Sequence, residues 1–259
     1  MSVNTICNIP KNLYKYKPWN TYTIDVFKEH RIYISAPEKF NDLLEMRLRM
    51  ISFDPMVGTI DDMFDDDTVK SVEMSIDNET FDFIDQNKML QEWDEERIHQ
   101  DRETMKILCL TNNPLNSMMW YHYANDYKGV CLQFSNLFIG EDSERHTGLF
   151  GAVQYGSSSR NDGTQNTPLV SYVQSLFYKS SEWREENEYR YIEQHPKEEE
   201  NYVDFLPDQL MAVYCGAKMS NEMLHQVYSI AIEMNPNIQV YRTLIASNGV
   251  SLIGEIYHE

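Results

Sequence analysis

The stretch that most constrains the fold of this chain runs from Met118 to Phe134. Asn116 and Ser117 precede it, and both residue types are common helix N-caps. Gly129 interrupts the stretch, and Val130 to Phe134 then alternates in character as a half-buried strand does. The sequence therefore predicts a short helix, a glycine turn and a strand in direct succession.

The helical part of this stretch crowds aromatic side chains around His122, namely Trp120, Tyr121, Tyr123 and Tyr127. Such rings, with polar groups between them, can line a pocket for a flat ligand. The alternative is a packed aromatic helix whose polar tips reach solvent. The pattern alone leaves both interpretations open.

The rest of the chain is a mixture of short strands and helices. The predicted strands are Leu13 to Tyr16, Arg31 to Ser35, Lys106 to Thr111, Gly151 to Tyr155, Glu188 to Glu193, Leu210 to Cys215, Ile238 to Ile245 and Val250 to Tyr257. The predicted helices are Thr21 to Glu29, Leu169 to Lys179, and one capped by Ser220 that runs to about Met234. Leu43 to Phe53 fits either period. Interleaved strands joined by several short loops predict one α+β domain over residues 1–259, with a largely antiparallel, split sheet flanked by helices.

The net charge of −19 is concentrated in one region. The segment from Asp54 to Glu103 holds 17 acidic and 4 basic residues, and we expect a mostly helical, peripheral insertion that offers a surface to a protein partner. Asp61 to Asp67 lacks the glycine that a calcium loop needs at its sixth position. The acidic surface argues against broad nucleic-acid binding, because it repels phosphate backbones.

Several site types have no support in the residue pattern. No apolar run approaches the ~20 residues of a membrane span, and Met1 to Pro10 does not resemble a secretory signal. The four cysteines form no CxxC pair, which predicts reduced thiols in a cytoplasmic protein. No HExxH, GxGxxG or GxxxxGK[ST] motif is present, so we expect no metal site and no phosphate cradle of the usual kinds.

The charged run that begins at Glu185 is the strongest candidate for chemistry. A strand that begins near Glu186 would place Glu186, Glu188 and Arg190 on one face, and Trp183, Tyr189 and Tyr191 on the other. Two adjacent carboxylates raise the pKa of one of them unless Arg190 or Lys179 compensates. Such a pair suits work on a sugar, where one carboxylate stabilises positive charge and the other accepts a proton. The alternative is an exposed strand edge with an ordinary ion pair.

Four motifs together resemble a widespread, mostly bacterial family, the domain-of-unknown-function family numbered 2971. They are Leu13-Tyr14-Lys15-Tyr16, then Ser35 to Asp42 with Glu45, then Met119 to Ala124 with Gly129-Val130-Cys131-Leu132, and finally Lys179-Ser180 with Trp183 and Glu186 to Arg190. The chain departs from the family pattern at Leu43, where proline is usual, and at Tyr127, where a second histidine is frequent. The second departure bears on any mechanism that needs two histidines there.

The family resembles a remote relative of the ADP-ribosyltransferase fold, an α+β split sheet that grips NAD. By this resemblance, Lys15 or Tyr16 would take the polar position of the first strand, and Ser35 with Asn41 the second position. Tyr121, His122 and Tyr123 would form the wall around the nicotinamide or ribose. Glu188, with Glu186, would hold the position of the catalytic glutamate.

The resemblance implies an enzyme that breaks the nicotinamide–ribose bond of NAD, either an ADP-ribosyltransferase or an NAD glycohydrolase. Its acceptor would be a protein, a nucleic acid or water, and its biological role that of a bacterial toxin or phage-defence effector. The alternative is a non-catalytic ligand sensor or protein-interaction module on the same fold. A metal-independent hydrolase or nuclease is a third interpretation, which the acidic surface disfavours.

Overall fold

The computed structural model describes residues 4–5, 7–37, 105–139, 146, 148–156, 176–194, 201–248 and 252–258. Its strands are β1 Asn4–Thr5, β2 Asn12–Lys17, β3 Arg31–Tyr33, β4 Met105–Thr111, β5 Val130–Ser135, β6 Leu149–Ala152, β7 Gln154–Gly156, β8 Tyr178–Ser180, β9 Glu188–Gln194, β10 Tyr202–Asp204, β11 Leu210–Cys215, β12 Gln239–Ile245 and β13 Leu252–Ile256. Its helices are α1 Thr21–Glu29, α2 Ser117–Tyr123 and α3 Asn221–Met234, with 3-10 helices at Ser181–Glu186 and Pro207–Gln209. None of the described helices is long and apolar enough to cross a bilayer.

Nine strands form one open sheet in the order β1-β6-β9-β4-β2-β5-β11-β12-β13. All neighbours in it are antiparallel except β1 with β6 and β11 with β12. Two small sheets, β10 with β3 and β7 with β8, accompany it. The prediction of a mixed fold with a large, mostly antiparallel sheet is confirmed.

The main core lies between one face of this sheet and the helices α1 and α3. It contains Val26 and Phe27 of α1, Leu224 and Val227 of α3, and strand residues such as Leu132. Side chains alternate between the two faces of a strand, so the next residue, Cys131, belongs to a second cluster on the opposite face. That second cluster forms around the buried Trp120 of α2, together with Tyr16 and Ala124.

Most predicted elements lie where their patterns indicated, because local capping and alternation determine them. Helix α1 spans the predicted residues, and the side chain of Asn20 accepts a hydrogen bond from the Thr23 backbone N–H at its start. Ser220 caps α3 in the same way through the Met223 N–H. Strand β11 also has the predicted bounds.

Three element predictions need correction. The strand predicted to end at Ser35 stops at Tyr33, and Ser35 instead forms an isolated bridge with Ile107. The strand predicted from Gly151 to Tyr155 is divided at Val153 into β6 and β7, which belong to different sheets. The Val153 N–H at this break bonds to the Glu188 carbonyl. The helix predicted to reach Lys179 gives way to β8, which pairs in parallel with β7.

Several predictions fall outside the described residues. They concern the acidic segment Asp54 to Glu103, the element at Leu43 to Phe53, and Asn41. The single-domain assignment over residues 1–259 therefore stays a prediction, although the main sheet draws strands from both ends of the described chain.

Candidate functional site

Three consecutive elements bring a lysine and two glutamates together. Strand β8 supplies Lys179, the following 3-10 helix ends on Glu186, and β9 begins at Glu188. Between them Asn187 adopts a left-handed conformation, with φ of 45°, which asparagine tolerates better than most residues. This turn lets two glutamates from different elements point at the same lysine.

Lys179 lies between two carboxylates. Its Nζ is 2.6 Å from Oε2 of Glu186 and 3.2 Å from Oε2 of Glu188. The side chains are buried, with exposed fractions of 5% for Lys179, 9% for Glu186 and 5% for Glu188. We call these three residues and Arg190 the carboxylate cluster.

Arg190 holds Glu188 from the other side and is itself fully buried. Its Nε lies 2.8 Å from Oε1 of Glu188, its Nη2 lies 3.2 Å from Oε2, and its Nη1 donates to the Leu176 carbonyl at 2.6 Å. Burial raises the pKa of Glu188, but Arg190 and Lys179 outweigh burial and lower that pKa to about 2. Glu188 is therefore ionised at neutral pH, and both of its carboxylate oxygens accept hydrogen bonds from these cations.

This geometry corrects two sequence-based interpretations. The strand begins at Glu188 rather than at Glu186, and Trp183 is not on the opposite face, because its ring centroid is 4.9 Å from Nζ of Lys179. The alternative of an exposed strand edge is wrong, since both glutamates are buried. Tyr189 and Tyr191 do lie on the opposite face, as predicted. Tyr191 belongs to the main core and stacks on Phe138, and Tyr189 packs against the same core.

Helix α2 reaches the cluster through Tyr123. The Tyr123 hydroxyl donates to Oε1 of Glu186 at 2.6 Å, and burial, followed by the charge of Glu186, raises the pKa of Tyr123. Asn116, which caps α2 as predicted, also donates from its amide to the Glu185 carbonyl. Thr111 fixes the same segment from β4, since its hydroxyl donates to the Glu186 carbonyl at 2.7 Å.

The outer face of α2 is more exposed. Tyr121 is 56% exposed, and its ring centroid lies 5.2 Å from that of His122. His122 is also exposed, and its ring centroid lies 6.4 Å from that of Trp183. The structure thus places Tyr123 against the carboxylate cluster and His122 next to Trp183 beside it, whereas the contact described for Tyr121 is with His122. Among the described contacts of α2, the hydroxyl of Tyr123 bonds to the cluster.

The residues predicted for the first and second positions lie along one edge of β4. Strands β2 and β4 pair only at Tyr14 and Thr111. Beyond that pair, Nζ of Lys15 donates to the Cys109 carbonyl at 2.7 Å, and Ser35 bridges Ile107. Lys15 and Ser35 therefore follow each other along the edge of β4.

Tyr16 has a different environment. Its hydroxyl donates to the Asn113 carbonyl at 2.8 Å and accepts from the Asn116 N–H at 3.2 Å, while its ring meets Trp120 edge-on. Tyr16 thus fixes the loop before α2. Asn41, the last predicted binding residue, lies outside the described residues.

Two residues of the site were not singled out by the sequence. Cys109 is only partly exposed, and the removal of water from around its thiol raises its pKa well above the usual range. The nearby Glu188, to which the thiol donates, raises this pKa further. The Tyr155 hydroxyl accepts from the Glu188 backbone N–H at 2.9 Å. Neither residue has a neighbour in sequence that marks it, because both contacts depend on strand pairing.

The described part of the chain contains no group of three His, Cys, Asp or Glu side chains arranged to hold a metal ion. The chemistry available is that of two carboxylates with unequal surroundings. Glu188 contacts two cations, whereas Glu186 contacts one cation and the phenol of Tyr123 from α2. Glu186 is the carboxylate better placed to meet a ligand.

Comparison with known proteins gives one match. No curated protein and no solved structure was found to match the chain. The match is to a family model and covers residues 119–191, which include Tyr123 and the carboxylate cluster. The motifs at Leu13 to Tyr16 and Ser35 to Asp42 lie outside this range. Residues 119–191 match the model of the family described as Protein of unknown function (DUF2971), which supports the resemblance to that family.

Proposed function

We propose that the protein consumes NAD by breaking its nicotinamide–ribose bond at the carboxylate cluster, as an ADP-ribosyltransferase or NAD glycohydrolase. The observation that carries this proposal is Glu186, a buried carboxylate held between Lys179 and Tyr123, with the Trp183 ring against the Lys179 ammonium. A fixed carboxylate beside aromatic walls suits a substrate that develops positive charge on a sugar next to a flat ring.

The reaction divides the work between the two glutamates. As the glycosidic C–N bond breaks, its electron pair goes to the pyridinium nitrogen, so nicotinamide leaves neutral and the ribose gains cationic character. The carboxylate of Glu186 stabilises that cation, and Glu188 holds Lys179 and Arg190 in place. A nucleophile from water or an acceptor then bonds to the ribose carbon and loses a proton.

The joint between β2 and β4 supports the wider proposal of an ADP-ribosyltransferase-like fold. The two strands share a single register pair, and the Cys109 carbonyl beyond it bonds to the Lys15 ammonium instead of a strand partner. We infer that the ligand approaches the sheet at this opening, next to Lys15 and Ser35. A role as a toxin or defence effector is part of the same proposal.

The test is nicotinamide release from NAD in the presence of a cell extract that supplies acceptors. Glu186→Gln keeps the shape and the acceptor for Tyr123 but removes the charge, so we expect release to fall by ~10² to 10³ with little change in NAD affinity. In Tyr123→Phe, which removes one hydroxyl, nicotinamide release should fall by a smaller factor.

The control is Glu182→Gln, an exposed position of the same 3-10 helix, which should leave the rate unchanged. Thermal unfolding of each variant confirms that it is folded under the assay conditions. Equal rates in the parent and Glu186→Gln would remove Glu186 from the mechanism.

A non-catalytic ligand-binding module is the second candidate. It is favoured by the charge balance of the carboxylate cluster, since two carboxylates face one lysine and one arginine, as in structural ion-pair networks. A parent protein that binds NAD, with a raised unfolding temperature, but releases no nicotinamide with any extract would establish this second function.

A further inference from the structure

A continuous row of side chains crosses the main sheet on the face that carries the carboxylate cluster. Glu188 is directly opposite Thr111, Thr111 is opposite Tyr14, and Tyr14 is opposite Gln133. Directly opposed residues of neighbouring strands project to the same face. At ~4.8 Å per strand, Gln133 lies about 14 Å along this row from Glu188.

Tyrosine rings border the far end of the row. Tyr14 meets Tyr214 edge-on with centroids 6.2 Å apart, and Tyr214 stacks on Tyr241 at 4.7 Å with an interplanar angle of 11°. All three are partly exposed. The Tyr214 hydroxyl donates to Oε1 of Gln133 at 3.4 Å, which ties the glutamine to the rings. We call Tyr14, Gln133, Tyr214 and Tyr241 the tyrosine platform.

Gly254 allows Tyr214 to lie in this position. A Cβ at residue 254 would be 3.2 Å from Cε1 and 3.3 Å from Cδ1 of Tyr214, tighter than an ordinary contact. The absence of a side chain on β13 at this point lets the Tyr214 ring rest against the strand. The ring positions are thus fixed by the strand below as well as by the neighbouring tyrosines.

We propose that the tyrosine platform binds the adenine ring of a nucleotide whose other end reaches the carboxylate cluster. Tyrosine faces stack on bases of any kind, and a glutamine amide matches the donor and acceptor pair on the edge of adenine. The identification of the ligand as the distal half of NAD rests on the proposed function. The platform itself rests only on the register and the ring geometry.

Lys15 lies where β2, which carries Tyr14, separates from β4, which carries Thr111. It follows Tyr14 on β2, and its ammonium bonds to the Cys109 carbonyl, where β4 separates from β2. Both the Lys15 ammonium and the Glu188 carboxylate act on the pKa of the Cys109 thiol, so both charges are close to that residue. A cation at this point suits the diphosphate that joins the two halves of a dinucleotide.

The test is calorimetric titration of the full chain with adenosine monophosphate and, separately, with nicotinamide mononucleotide. In Tyr241→Leu and Gln133→Leu, adenosine monophosphate should bind on the order of tenfold more weakly or worse, because base–aromatic stacking and amide pairing are lost. Nicotinamide mononucleotide should bind these variants as it binds the parent. Tyr241→Phe keeps the ring and should retain affinity, and Tyr22→Leu, which alters a 78% exposed tyrosine on α1, is the matched control.

The two proposals fail in different ways. Equal affinity of adenosine monophosphate for the parent, Tyr241→Leu and Gln133→Leu, or no binding to the parent at millimolar ligand, overturns the platform whatever the rate of nicotinamide release. Binding that depends on Tyr241 without nicotinamide release upholds the platform and overturns the NAD-consuming function.

Discussion

Replacing Glu188 by glutamine should destabilise the protein strongly, because the charge of Glu188 is buried between two cations. The substitution keeps the shape of the side chain but leaves Arg190 and Lys179 with one carboxylate, that of Glu186, instead of two. Loss of one partner from a buried ion pair costs roughly 3–5 kcal/mol. The pKa of Glu188 gives a consistent figure: a fall from about 4.3 in the unfolded chain to about 2 is worth about 3 kcal/mol.

The same charge makes the stability of the parent depend on pH. Because the pKa of Glu188 is lower in the folded protein than in the unfolded chain, the stabilisation is fully present above the unfolded pKa. It is lost as the pH falls from about 5 through about 2. We expect the difference in unfolding free energy between the parent and Glu188→Gln to shrink over this window.

Urea unfolding at pH 7, followed by tryptophan fluorescence, measures the effect. A loss of 3–5 kcal/mol lowers the midpoint by roughly 1–3 M. Glu182→Gln, on the exposed side of the preceding 3-10 helix, should leave the midpoint unchanged. A midpoint for Glu188→Gln equal to that of the parent, at pH 7 and at pH 4, would refute the assignment of Glu188 as a buried anion.

Two further predictions follow from the described contacts. At pH 8, Cys109 should react with iodoacetamide much more slowly than glutathione does, because burial and Glu188 raise the pKa of its thiol. Mass mapping should show faster alkylation of Cys109 in Glu188→Gln than in the parent. Equal alkylation rates of Cys109 in the parent and in Glu188→Gln would contradict the Cys109–Glu188 contact. Gly129→Ala should cost roughly 1–3 kcal/mol, because its Cβ would lie 2.2 Å from the Lys17 carbonyl oxygen. Gly254→Ala should cost less in the same urea assay, because its Cβ would meet the side chains of Tyr214 and Tyr241 rather than the backbone.

The sequence predicted elements that depend on local chemistry. The stretch after Asn116 is a capped helix, then a turn at Gly129, then a strand, as its alternation indicated. Glycine is needed at this turn because a Cβ there would meet the carbonyl oxygens of Lys17 and Ala124. Lys17 is far from Gly129 in sequence. Caps and alternation are readable from one segment, whereas the close approach is not.

The contacts that define the site could be predicted only in part. The spacing of Glu186, Glu188 and Arg190 indicated that they share a face, and Lys179 was considered as a compensating cation. The helical period of the residues before Lys179 predicted a helix up to that residue, yet β7 pairs with β8. Non-local strand pairing overrode the local period, and it is this pairing that brings Lys179 into the buried site.

The two glutamates are separated by one residue in sequence but are not equivalent in chemistry. Glu188 accepts from Arg190 and Lys179 and lies against the Cys109 thiol, so its charge is neutralised within the protein. Glu186 shares Lys179 with it, and its other oxygen accepts from the neutral Tyr123 hydroxyl. A carboxylate that acts on a developing cation must keep net negative character toward the ligand, and Glu186 contacts one cation whereas Glu188 contacts two. We therefore propose Glu186 as the carboxylate that acts on the ribose and Glu188 as the residue that positions it through Lys179. The choice of Glu188 as the principal catalytic residue stays a prediction, and nicotinamide release by Glu186→Gln and Glu188→Gln decides between the two.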